Sequence, residues 1–207
     1  MEQSIRELSI HVAQNKAFPA QPERLTRRKR WIIVDADFYK DDHAVIWFVR
    51  RGHSGTPVDE IHRMEKVDGV WRSPGGSGGE PGADLDERPT LAEIAALNDR
   101  NPFSRCEFGF NSGGSSGSRR RPASRQIHCA QEVAELRFSD GRPPKPVASH
   151  GHVIVLYKGN SGPTITAFDV DGQPLGEHKL KPVSHPRIPL RHRLSARFSS
   201  GWIDLSS

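Results

Sequence analysis

Three features of this sequence have the type and spacing to do chemistry: histidines at 150 and 152, aspartate pairs at 35/37 and 169/171, and three basic runs. Residues two apart on a strand face the same way, so His150 and His152 could offer two ligands to a metal ion. A third ligand is then required. His178, His185 and His192 follow at equal spacing, but Pro182, Pro186 and Pro189 exclude the helix that would align them. The simpler reading is a strand start whose imidazoles face solvent or bond nearby carbonyls.

Asp169 and Asp171 fail as a calcium loop. With Gly172 at the sixth position, the first would be Ala167 and the twelfth His178, so both end carboxylates are lacking. Asp171 reads as a turn residue. Asp35 and Asp37 could hold a divalent ion on one strand face. No phosphate-cradling loop accompanies them, since "GGSSGSRR" lacks the Gly-Lys-Ser/Thr ending. Turn formation and edge-strand solubility account for these aspartates. Motifs of nucleophilic and zinc catalysis are missing: no Gly-x-Ser-x-Gly, no His-Glu-x-x-His, no Cys-x-x-Cys. The sequence therefore assigns no catalytic residue, no cofactor and no metal ligand.

The basic runs are Arg27, Arg28, Lys29, Arg30; then Arg119, Arg120, Arg121; then Arg191, His192, Arg193. The first is a solvated lead-in to a strand. The second lies in a Gly/Ser-rich tract, a format that can wrap phosphates, although no aromatics interleave for base stacking. Arg119 to Arg121 and Arg27 to Arg30 are the candidate polyanion contacts. Ser124, beside the second run, would be open to a basophilic kinase.

The elements that must position these residues are mainly extended. The 207-residue chain carries net charge +5, with 19 Gly and 16 Pro, which favours a turn-rich β structure. Arginine outnumbers lysine, as in proteins of GC-rich bacteria. No stretch approaches the roughly 20 apolar residues that span a bilayer. The N-terminus has no apolar signal core. A cytoplasmic location is expected, with Cys106 and Cys129 reduced.

Glu2 to Lys16 should be a helix, with Ile5, Leu8 and Val12 inward and Arg6 and Ser9 outward. A β-meander follows: "WIIVDADFY", the turn "KDD", "HAVIWFVRR", then Val58 to Val67 leading through Asp68-Gly69 into "VWRS". "PGGSGGEPGADLDER" reads as linker. "TLAEIAALND" carries a capping box from Thr90 to Glu93. "NPFSRCEFGF" suggests one strand, and "NSGGSSGSRRRPASR" a second flexible tract. Strands return in "EVAELRF", "HVIVLYK" and "TITAFDV", with turns at Asp140-Gly141 and Asp171-Gly172. "HVIVLY" is apolar on both faces and should be central. The tail should be an extended strap.

The run "HAVIWFV…VDGVWRSPGGSGG", with "EVAELRFSDGRP…VASHGHVIVLYKG…ITAFDVDGQPLG", resembles a group of uncharacterised β-rich proteins from high-GC Gram-positive bacteria. The shared features are structural turns, and the resemblance implies no activity or site residue.

The expected fold is mainly β: an antiparallel meander, sandwich or partly open barrel, with an N-terminal helix and one short inserted helix. The division expected is 1–22, helix and connector; 27–73, meander; 74–125, flexible Gly/Ser-rich region with a helix at 91–99; and 126–207, hairpins and tail, forming one domain with 27–73. The expected function is a non-enzymatic binding module with a protein partner. The alternatives are a nucleic-acid or other polyanion binder through the arginine clusters, and a metal-dependent hydrolase on His150, His152 and the aspartates.

Overall fold

The computed structural model describes residues 4–19, 25–28, 30–81, 85, 87–100, 105–115, 121–158 and 162–181. It is mainly β, with three antiparallel four-stranded sheets and two helices. The tail beyond 181, with His185, His192, Arg191 and Arg193, lies outside the described residues, as do Lys29, Arg119 and Arg120.

Helix α1 (Ile5–Asn15) starts at a capping box. The Ser4 side chain accepts from Glu7 N–H and the Glu7 carboxylate accepts from Ser4 N–H. Lys16, at φ 50°, ends the helix three residues before Pro19. Val12 and Ala13 pack on one face of the first sheet with Ile33, Ile46, Phe48 and Met64. Ser9 corrects the sequence expectation: it points inward and is fully buried.

The first sheet is the expected meander. Its order is β1 (Trp31–Tyr39), β2 (His43–Arg51), β3 (Pro57–Val67), β4 (Val70–Pro81). Asp68 and Gly69 have φ of 52° and 79°, the positive pair that a two-residue hairpin needs. A second correction concerns "PGGSGGEP". It is not linker but the outer half of β4, with Gly75 to Gly78 paired along Arg63 to Glu60 of β3. Pairing with β3 on its inner edge holds this stretch extended, and it needs no side chains to do so.

Helix α2 (Leu91–Arg100) follows. The single strand expected around Cys106 is instead a tight hairpin of β5 (Arg105–Cys106) and β6 (Gly109–Ser115). β6 pairs with β7 (Ala123–Cys129), which pairs with β10 (His152–Tyr157). Ser124 sits within β7 and is 2% exposed, so it is closed to a kinase. The third sheet has the order β12 (Pro174–Lys179), β11 (Thr164–Phe168), β8 (Glu135–Phe138), β9 (Lys145–Pro146). Gly141 and Gly172 take positive φ in its turns, whereas Asp140 and Asp171 do not.

The layers stack through β10, every residue of which is buried. Ile154 and Leu156 meet Val34, Val45, Trp47 and Val49 of the first sheet. Val153, Val155 and Tyr157 join Ile127, Leu136, Ile165 and Ile94 in the main core. β10 is thus covered on both faces, but it is not central in its ladder: among the described residues it pairs with β7 alone.

Candidate functional site: an arginine cleft between two sheets

The other edge of β10 explains Asp35 and Asp37. Residues 154 and 156 turn their backbone groups away from β7, and side chains meet them there. Asp35 accepts from Ile154 N–H at 2.7 Å and Asp37 from Leu156 N–H at 2.6 Å. Lys145 donates to Ile154 O and Ala36 O at 2.9 Å each, and lies 2.8 Å from Asp35. Arg142 donates to Leu156 O at 2.9 Å and to Asp37 at 3.2 Å. Two acids and two bases thereby imitate the missing strand. These aspartates are not the solvent-facing edge charges expected from the sequence; their side chains are 13% and 16% exposed. Burial pushes the Asp35 carboxyl up, and Lys145 opposes that shift. Every charge in this ladder has a partner, so it holds sheets together and is closed to a ligand.

The histidines gather elsewhere. His152 is 4% exposed, not solvent-facing. Its ring stacks on His128 at 3.9 Å and lies 5.8 Å from His150, with Trp47 edge-on at 5.2 Å. Burial, then the nearby Arg88 cation, holds His128 and His150 below the usual imidazole range. His150 accepts from His152 N–H at 3.0 Å. Among the described residues, no three His, Cys, Asp or Glu side chains are arranged to hold a metal ion. Cys106 and Cys129 are buried free thiols. Burial pushes Cys106 up to about 12 and Cys129 further in the same direction. Neither is poised as a nucleophile.

A Ser–His–Glu chain does assemble, unseen in the sequence. Ser9 Oγ lies 2.9 Å from His62 Nδ1, and His62 Nε2 lies 2.9 Å from Glu60. The hydroxyl also donates to Ile5 O at 2.8 Å, and Arg50 donates to Glu60 at 2.7 Å. The order of ring nitrogens is the reverse of a serine-hydrolase triad, in which Nε2 faces the serine. No substrate reaches a serine with no exposed surface. The chain docks α1 on its sheet.

A further group of charges is less completely closed. At the β3–β4 end of the first sheet, His43, Arg63 and Glu65 share the face that looks toward β10. Their positions are set by register: His43 pairs with Glu65, and Arg63 lies between Val45 and Gly75. Arg121 and Pro122 cross over them as the chain enters β7. Together with Pro74 and Leu156 they line a cleft of about 40 Å³. That is room for one oxyanion head or a few waters.

Two polar groups of the cleft, on His43 and Arg63, are incompletely matched. His43 Nδ1 meets Asp42 at 2.7 Å, while its Nε2 lies 3.9 Å from Glu65, beyond hydrogen-bond reach. Arg121 sits 3.7 Å from Glu65, a loose contact. Arg63 Nη2 is buried and finds no hydrogen-bond acceptor among the described residues. Burial, with Arg121 as a second like charge, pulls the Arg63 guanidinium below its ordinary range. A guanidinium keeps its charge near neutrality even so, and a buried N–H without an acceptor is costly. An anion between Arg63 and Arg121 would relieve both costs.

Of the candidates named from the sequence, the structure brings only Arg121 into this cleft. Arg27, Arg28 and Arg30 stand exposed before β1 and do not line it. Arg119, Arg120 and Lys29 lie outside the described residues. Arg63 was missed because "EIHRMEK" shows no clean alternation. Its position opposite the buried Val45 is the signal that could have found it. No helix among the described residues is long and apolar enough to cross a membrane. Comparison with protein-family models, curated proteins and solved structures finds no match.

Proposed function

We propose that this chain is a non-enzymatic binding module that holds an anionic group of its partner in the cleft between Arg63 and Arg121. The observation that carries this is the buried Arg63 Nη2, which lacks an acceptor while a second guanidinium stands beside it. Charge-assisted, bidentate bonding to a carboxylate or phosphoryl oxygen is what arginine does best in such a setting. Glu65 competes for Arg121, so the module should favour a doubly charged head that can displace it.

Titration with inorganic phosphate at low ionic strength, followed by NMR of the arginine side chains, tests this. Arg63 and Arg121 should shift together and saturably, and Arg63→Gln should abolish the shift. Arg121→Gln should weaken it; that side chain is 61% exposed, so its loss leaves the fold intact. No saturable shift at low salt would refute the proposal.

A further inference from the structure

Resting on the anion-binding reading above, we infer that the anion is a side chain of an extended acidic or phosphorylated peptide, which adds as a fifth strand to the outer edge of β4. Among the described residues β4 pairs only with β3, and it ends its sheet. Its edge therefore presents backbone N–H and C=O groups in alternation, a template for strand addition.

The register ties this edge to the cleft. Cross-strand partners share a face, and Arg63 pairs with Gly75. A peptide residue opposite Gly75 would share that face as well, two strand spacings, or about 10 Å, from Arg63. Gly75 supplies no side chain to block the way, and nothing lies within 4 Å of where its Cβ would be. An arginine and a glutamate or phosphoserine side chain can meet across that gap. Pro74, which also lines the cleft, sits at the β3–β4 register irregularity, so the pairing window begins after it. The glycines that follow offer a backbone edge almost bare of side chains.

A nucleic acid fits less well. Among its described lining residues the cleft has no Phe, Tyr or Trp on which a base could stack, and a second backbone phosphate beside the first would meet Glu65. A peptide brings one charge to the cleft and leaves the rest of its contacts to the backbone.

The test compares short peptides of β-branched residues carrying a central glutamate, phosphoserine or glutamine, each with and without alternate backbone N-methylation. Binding to the whole chain is measured by calorimetry, beside free phosphate and a single-stranded oligonucleotide. The glutamate or phosphoserine peptide should bind at least about tenfold more tightly than its glutamine counterpart. N-methylation and Arg63→Gln should each remove that advantage. If phosphate binds in an Arg63-dependent way but acidic peptides gain nothing and N-methylation is without effect, strand addition is wrong and the cleft reading stands. If the oligonucleotide alone shows Arg63-dependent binding, the partner class is wrong. If no probe binds, both proposals fall.

Discussion

Two clusters of charge sit on the same face of the first sheet and could hardly differ more. At the β10 edge, Asp35, Asp37, Lys145 and Arg142 satisfy one another and two pairs of backbone groups. At the cleft, Arg63 has a buried nitrogen without an acceptor, and Arg121 crowds it with like charge. Both lie partly out of water, where charge is expensive. In the first the cost is offset inside the chain. In the second, the Arg63 nitrogen is left without an acceptor among the described residues, which is what the proposed anion would offset. Unmatched charge, not charge itself, separates a ligand site from a strut.

Breaking the closed ladder should have the largest effect. Lys145→Met leaves Asp35 buried without its cation and should cost about 3–5 kcal/mol, read from urea unfolding. Asp35→Asn in the same chain should recover part of the loss, because the amide oxygen still accepts from Ile154 N–H. Ser9→Ala strips His62 Nδ1 of its partner beneath α1 and should cost about 1–3 kcal/mol. The open cluster should respond in the opposite sense. Arg63→Met should leave the free protein as stable or more so, since it removes an unmatched cation. Destabilisation comparable to that of Lys145→Met would erase the distinction between the clusters.

The histidine stack adds a pH dependence. Burial lowers the folded-state values of His128, His150 and His178, so the unfolded chain binds protons first as pH falls. Their contribution to stability is full above the unfolded value of about 6.5 and is lost as pH drops through the folded values. The urea midpoint should fall over that window, and His150→Gln should flatten the slope. The smallest effect is expected at Lys16 and Asp41. Their contact is 2.8 Å long but wide open to solvent, and Asp41→Asn should leave the urea midpoint unchanged.

What could be read in the sequence was local. Asp68-Gly69 announces its hairpin because two positive φ values suit few other pairs. The apolar runs of β1, β2, β10 and β11 announce their burial. β7 was illegible: Arg125 interrupts the apolar phase of Ala123, Ile127 and Cys129, and the other phase is the polar Ser124, Gln126 and His128, yet these three are buried between β6 and β10. The glycine half of β4 was illegible for the converse reason, since only backbone pairing makes it a strand. Asp35 and Asp37 were visible as a same-face pair, but their targets lie 119 residues on. Arg121 was visible as part of a basic run; that Arg63 meets it could be known only once the register of β2, β3 and β4 was fixed.

Thermal unfolding against rising phosphate, in the parent chain and in Arg63→Gln, reads anion binding between Arg63 and Arg121 through the stability of the fold. Binding to the folded state alone raises Tm progressively with ligand concentration. Tm should rise in the parent, stay flat in Arg63→Gln, and show no comparable rise with chloride at equal ionic strength. A parent Tm indifferent to phosphate, or an equal rise in the variant, would contradict that binding.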